Sequence, residues 1–226
     1  MSFEITDIFL NNLTELINSN RDKEISSLFS EVHFADIAEV LEELSFDEAI
    51  YIIKLLDSEK TSEILTELDE DIREKILENL SAKEIAEEVG EMDTDDAADI
   101  IGELSNERQE RVINALEDDD LAADIKELLS YEDDTAGALM AKELVKVYET
   151  WTVAGCMRRI RGQAKEVTRV HSIYVVDKDD KLVGRLSLKD LIIAKSDQKI
   201  ADISKAKVDA VNVNEDDEEV AKIMAK

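Results

Sequence analysis

Apolar residues recur through the first half of the chain with a period of twelve. Read from His33, successive blocks are HFADIAEVLEEL, SFDEAIYIIKLL, DSEKTSEILTEL, DEDIREKILENL, SAKEIAEEVGEM, DTDDAADIIGEL and SNERQERVINAL. The eighth position is Val40, Ile52, Ile64, Ile76, Glu88, Ile100 and Val112, and the ninth is Leu41, Ile53, Leu65, Leu77, Val89, Ile101 and Ile113. The twelfth is Leu44, Leu56, Leu68, Leu80, Met92, Leu104 and Leu116. These positions are three and four residues apart, so they share one helical face. The first position is His33, Ser45, Asp57, Asp69, Ser81, Asp93 and Ser105; apart from the histidine, these are strong helix N-cap residues. Acids follow early in most blocks, where the helix dipole favours them. A single long helix does not fit, because twelve residues advance about 1200° and its apolar stripe would swing by about 120° per block. Short helices, each restarted by a cap, keep every stripe on a common core. None is long enough to stand alone in water, so the pattern predicts a stacked all-α superhelix. Residues 3–30 read as a longer leading helix and a short second one, and 117–130 as one further helix.

The period changes after residue 130. Gly137 and its small neighbours read as a loop. Residues 152–165 read as a helix, 171–177 (HSIYVVD) as a strand, 178–181 as a turn and 182–187 as a second strand. Residues 188–195 read as a helix headed by Ser187, 209–214 as a third strand, and 215–226 as the start of another helix. The stretch IYVVDKDDKLVGRLSLKDLI, with Gly184, Ser187 and Asp190 in order, resembles a CBS module. The fold class expected is therefore α followed by α/β. The helical repeats take 1–130, a first CBS motif 131–200, and the beginning of a second 201–226. CBS modules come in pairs, so the chain is expected to be a fragment whose natural protein continues.

The charge sharpens this division. Of 226 residues, 56 are acidic and 27 basic, a formal net charge of −29. Residues 1–134 hold 41 acids and 10 bases, the remainder 15 and 17. A hydrophobic content of 44% excludes a wholly disordered polyanion. The negative charge argues against nucleic acid and anionic membrane surfaces as partners, and for cations or basic proteins. The lone cysteine, Cys156, excludes an internal disulfide and reads as a core thiol. The opening residues lack the basic region of a signal peptide, and no apolar run approaches the roughly 18 residues of a membrane span, so a cytoplasmic setting is expected. His33 and His171 form no zinc-binding spacing, and there is no P-loop, nucleophile elbow or dinucleotide fingerprint. An enzyme is not expected. Trp151 reads as a packing residue, and the basic run MRRIR (157–161) is too short to argue for nucleic acid.

Three features in order resemble the cytosolic part of the MgtE family of magnesium channels and transporters. They are the acidic repeats, including MDTDDAADIIGEL (92–104); the junction YEDDTAGALMA (131–141), close to that family's Tyr-x-Glu/Asp-Asp-Ser/Thr-Ala-Gly-x-Leu-Met signature; and the CBS module that follows. The resemblance implies a Mg²⁺-sensing region on the cytosolic face of a homodimeric membrane channel, whose membrane domain lies outside this chain. It implies gating in which Mg²⁺ docks the acidic domain against the CBS module and like charges separate them when Mg²⁺ is scarce. Aspartates matching Asp95 and Asp99 bind Mg²⁺ in the family, and Glu63, Asp216 and Glu218 match further acidic positions.

The chemistry is compatible with that implication. Mg²⁺ takes six oxygens and dehydrates reluctantly, so a sensor needs few carboxylates and keeps several waters. Asp95 and Asp99 are four apart on one helical face; at about 5.5 Å their charges repel by about 0.75 kcal/mol in bulk water, a penalty that a cation reverses. A solvated acidic face, or acids serving a helix dipole, explains the same residues without a metal. CBS pairs also bind adenosine nucleotides such as ATP, which would give Gly184, Ser187 and Asp190 a role at phosphate or ribose. The competing explanation makes Ser187 a helix cap and places Asp190 in the first turn. A solenoid–CBS adaptor for a basic protein, with no part in transport, is the remaining alternative.

Overall fold

The computed structural model describes residues 3–163, 170 and 172–225. Among them the repeat region forms a run of short helices: α1 (Asp7–Asn18), α2 (Asp22–Phe29), α3 (Phe34–Glu42), α4 (Phe46–Ile53), α5 (Ser58–Glu67), α6 (Glu70–Glu78), α7 (Ala82–Val89), α8 (Thr94–Gly102), α9 (Asn106–Ile113) and α10 (Asp119–Leu128). The twelve-residue blocks correspond to α3 through α9, one helix each. His33, Ser45, Asp57, Asp69, Ser81 and Ser105 stand at N-cap positions. Even the unpromising His33 caps its helix, its Nδ1 accepting from the Ala35 amide at 3.3 Å. Ser81 and Glu84 close a reciprocal box: the Glu84 amide donates to Ser81 Oγ at 3.2 Å and the Ser81 amide to the Glu84 carboxylate at 2.7 Å.

Two compact units divide the chain, one of Met1–Met92 and Asp96–Leu129, the other of Asp93–Asp95 and Ser130–Lys226. In the first, α3 packs on α5, α5 on α7 and α7 on α9, while α4 packs on α6. Alternate helices thus stack in rows, which lets each short amphipathic helix bury its stripe. The eighth and ninth repeat positions are buried in every block except at Glu88, whereas the twelfth is buried only at Leu68, Leu80 and Leu104.

The few bases of this acidic unit do a particular job. Lys60 Nζ donates to the carbonyls of Phe29 and Ser30 at the end of α2, and Arg108 Nη2 to those of Leu77 (2.7 Å) in the last turn of α6 and Leu80 (2.9 Å) just after it. Arg73 Nη1 reaches the carbonyls of Leu65 (3.2 Å) and Leu68 (3.0 Å) at the end of α5. The last carbonyls of a helix have no partner within it and carry its negative pole, so a cation there satisfies both needs.

The second unit holds β1 (Val145–Tyr148), α11 (Val153–Gln163), β2 (Ile173–Val176), β3 (Leu182–Leu186), α12 (Leu188–Ile193), α13 (Ile200–Ile203) and α14 (Asp217–Met224). The strands form one sheet in the order β1-β2-β3, with β1 parallel to β2 (Val145 opposite Ile173) and β2 antiparallel to β3 (Ile173 opposite Leu186). Val145, Val147, Val153, Cys156, Ile160, Ile173, Val175, Leu186, Leu191 and Ile200 make its core. Asp177 shapes the β2–β3 turn, accepting from the amides of Asp179 (2.8 Å) and Lys181 (3.0 Å), and Asp180 takes the left-handed φ of 62°. Those amides, the Lys181 one foremost, hold the Asp177 carboxyl below its ordinary range. Arg159 lies over the Trp151 ring, 5.3 Å from its centroid.

One sequence expectation fails. Residues 209–214 form no strand; the segment is largely exposed. It is tied to the 131–139 loop through the Gly137 amide to the Val213 carbonyl and the Ala136 amide to the Glu215 carbonyl, both 2.8 Å, and a β-branched run with so little of a ladder does not extend as a strand. Strand β1 and helix α13 were not foreseen; each is four residues, too short for its period to show. Ala164 and Lys165 of the predicted helix 152–165, and His171, lie outside the described residues.

Candidate functional site

Asp95 and Asp99 stand one turn apart on α8, Asp95 half-buried and Asp99 exposed. The head of that helix is fixed by Thr94, which is buried in the second unit. Its amide and hydroxyl donate to the Glu143 carboxylate at 3.0 and 2.9 Å, and its hydroxyl accepts from the Lys142 amide at 2.9 Å. A carboxylate at a helix N-terminus also meets the positive pole of the dipole. Neither Thr94 nor Glu143 was singled out from the sequence; the only signal was a threonine at the head of an acidic helix. Asp99 lies near enough to Arg73 to help hold the proton on its guanidinium, after the larger influence of Glu103.

Glu63 sits exposed on α5, at the rim of an open groove of roughly 460 Å³ shared with Ser26, Phe34, Leu55 and Lys60. Asp216 is the N-cap of α14, its carboxylate accepting from the Glu218 amide at 3.1 Å, and Glu218 lies exposed, 4.0 Å from Lys222. Among the described residues no group of three or more His, Cys, Asp or Glu side chains is placed to hold a metal ion. The Asp95–Asp99 pair nevertheless suits a cation that keeps most of its waters, since such an ion needs only one or two carboxylates.

The CBS residues have structural work of their own. Gly184 is buried in β3, where a Cβ would stand 3.1 Å from the Lys205 carbonyl oxygen, and the Arg185 amide donates to that carbonyl at 2.9 Å. Ser187 Oγ accepts from the Asp190 amide at 3.0 Å, capping α12. In the 131–141 junction, Gly137 lies under the Tyr131 ring, whose nearest atoms would be 2.6 Å from an added Cβ. Burial pushes the Cys156 thiol up to about 11, which leaves it inert as a nucleophile.

Two family models match the chain. Residues 32–134 match the family model described as the MgtE intracellular N domain, and residues 136–197 match the CBS domain. The magnesium transporter MgtE of Enterococcus faecalis is 45% identical over 98 residues, which is 43% of this chain and 22% of that protein. The magnesium transporter MgtE of Thermus thermophilus is 43% identical over 103 residues, 46% of this chain and 23% of that protein. The matched stretch thus spans less than a quarter of those relatives. Two solved structures extend over nearly all of the chain. The cytosolic domain of the Mg²⁺ channel MgtE in complex with ATP has a TM-score of 0.87 and 32% identity, covering 96% of this chain and 88% of that one. The soluble part of a magnesium transporter has a TM-score of 0.80 and 30% identity, covering 96% and 85%. Repeats, junction, sheet and relatives converge: the chain belongs to the MgtE family, as an MgtE intracellular N domain followed by a CBS domain.

Proposed function

We propose that the chain is a cytosolic Mg²⁺-sensing region of a magnesium channel or transporter, regulatory rather than catalytic. The observation that carries this reading is the spacing of Asp95 and Asp99 one turn apart on α8, in an acid-rich chain many of whose bases are engaged elsewhere. Mg²⁺ held through a few carboxylates and its own waters would relieve their repulsion, and Glu63, Asp216 and Glu218 are the further acids that would share the ion load. The domains follow the boundaries 1–130, 131–200 and 201–226, the last being the start of a second CBS motif. Ion binding shifts a conformational balance only through its unequal affinity for the two states, so the acidic unit must lose more repulsion in one state than in the other. In the whole protein the compact, ion-loaded state would hold the pore closed.

The partners in this reading are Mg²⁺, a second copy of the chain and the membrane domain of the same protein. Association of copies is supported by α12, where Ile192 is 63% and Ile193 71% exposed on the CBS unit. Calorimetric titration of the chain with MgCl₂ tests the ion site. Saturable binding that is weakened at least tenfold in Asp95→Asn/Asp99→Asn supports it; identical isotherms for the two proteins refute it.

A second reading rests on the relative solved with ATP. Gly184, Ser187 and Asp190 would then face an adenosine nucleotide, with the Ser187 hydroxyl, already an acceptor for the Asp190 amide, donating to phosphate. Titration with ATP of the chain and of Asp190→Asn separates this from a purely structural cap.

A further inference from the structure

Glu88 breaks the repeat at the position where every other block is apolar. Val40, Ile52, Ile64, Ile76, Ile100 and Val112, its equivalents, are 0–2% exposed in the helical core. Glu88 follows the same register into the packing of α7, which lies against α5 and α9. Its Oε2 is sealed from solvent and has no hydrogen-bond partner. Glu88 as a whole is half-buried, but a carboxylate oxygen sealed from water without a donor is costly, whereas the protonated acid carries its own donor and no charge.

The surroundings deepen that cost. Glu84 and Glu87 share its helix, Glu91 lies just past the helix end, and Asp57 faces it from the head of α5; after burial, these carboxylates act on it most strongly. The bases around α7 are engaged: Lys54 with Glu84 at 3.0 Å, Lys83 with Glu87 at 3.1 Å, and Lys60 with the Phe29 and Ser30 carbonyls. On α9, Arg108 holds the Leu77 and Leu80 carbonyls and Arg111 pairs with Glu107; Glu110 is a further acid on that helix.

We propose that Glu88 is a proton-dependent switch in the helical unit: on acidification it takes up a proton that supplies the donor its sealed oxygen lacks, and the protonated side chain lets α7 pack more firmly between its neighbours. Burial and the four surrounding acids push its carboxyl up to about 7. Because the folded value lies above the unfolded one, the stabilising contribution is complete below the unfolded value and is lost as the pH rises through about 7. The switch therefore loosens α7 on the alkaline side. It is independent of the Mg²⁺ reading, since Glu88 is not among the candidate ligands.

The test is thermal unfolding of the 226-residue chain without divalent ions between pH 5.5 and 8.5, beside Glu88→Gln. The midpoint of the natural chain should fall by roughly 3–6 °C more across that range than the midpoint of the variant. Taking the difference removes every contribution that the two proteins share. Parallel curves overturn the proposal. A carbon-detected NMR titration of the Glu88 carboxyl in the natural chain decides independently, even if the variant does not fold. A midpoint near neutrality supports the switch, and one near 4.5, the ordinary glutamate value, ends it.

Discussion

Replacing Arg73 with alanine should cost the helical unit more than any other single loss of charge. The guanidinium spans two helix ends: Nη1 bonds the Leu65 and Leu68 carbonyls of α5, while Nε donates to both oxygens of Glu103 at 3.0 and 3.1 Å and Nη2 pairs with the same carboxylate. Both side chains are mostly withdrawn from water, at 16% and 17% exposure. A hydrogen bond to a charged group contributes about 1.5–3 kcal/mol, and removal also leaves the Glu103 charge and two carbonyls short of partners. The contributions are not additive and water reaches part of the gap, so the expected loss is about 3 kcal/mol. Glu103→Gln keeps the shape and one acceptor and should cost about 1 kcal/mol, with a coupling of about 1–2 kcal/mol in the double-mutant cycle. Urea unfolding at pH 7.5, followed by far-ultraviolet circular dichroism, measures all four proteins. A loss below about 1 kcal/mol for Arg73→Ala, or coupling indistinguishable from zero, would refute the clamp.

Three further outcomes follow from the geometry. Gly137→Ala drives a Cβ to 2.6 Å from the Tyr131 ring, so the junction must shift; a loss of about 1–3 kcal/mol with a changed near-ultraviolet tyrosine signal is expected, and an unchanged spectrum with unchanged stability contradicts the packing. The Ser81 amide and hydroxyl, with Lys54 next, hold Glu84 down to about 2, so its contribution is present above about 4.5 and disappears as the pH falls towards 2. This group is well exposed, so Glu84→Gln should flatten acid unfolding between pH 5 and 2 by less than about 1 kcal/mol, as read by circular dichroism. Cys156 should resist a thiol reagent such as dithionitrobenzoate at pH 8 and react at once in urea; rapid labelling of the native chain would show that its core is open.

The helical repeat was legible because each block carries its own instructions: a cap at position one, acids after it, and apolar residues at eight, nine and twelve. These signals act within one helix and survive in the sequence. Strand β1 was not legible because Val145 and Val147 give only two alternations, and the strand exists through its parallel pairing with β2. Residues 209–214 misled for the opposite reason, a β-branched composition without a ladder to join. At the candidate site, the shared face of Asp95 and Asp99 followed from their spacing. The hydrogen bonds from Thr94 to Glu143 did not, since the carboxylate comes from 49 positions along the chain. The arginine clamps were equally hidden, because a base on an acidic helix looks like solvent-facing charge until the carbonyls it serves are located. Glu88 was visible as an irregularity at position eight, but only burial shows what that irregularity costs.

The central claim is that Asp95 and Asp99 hold Mg²⁺. Carbon-detected NMR of the aspartate and glutamate carboxyls during a MgCl₂ titration tests it most directly. The account predicts that the Asp95 and Asp99 resonances move together, saturate, and do so ahead of the many other carboxylates of the chain. Small, unsaturating changes spread evenly over all acidic residues would contradict it, leaving the charge of the chain a diffuse field with no ion site at this pair.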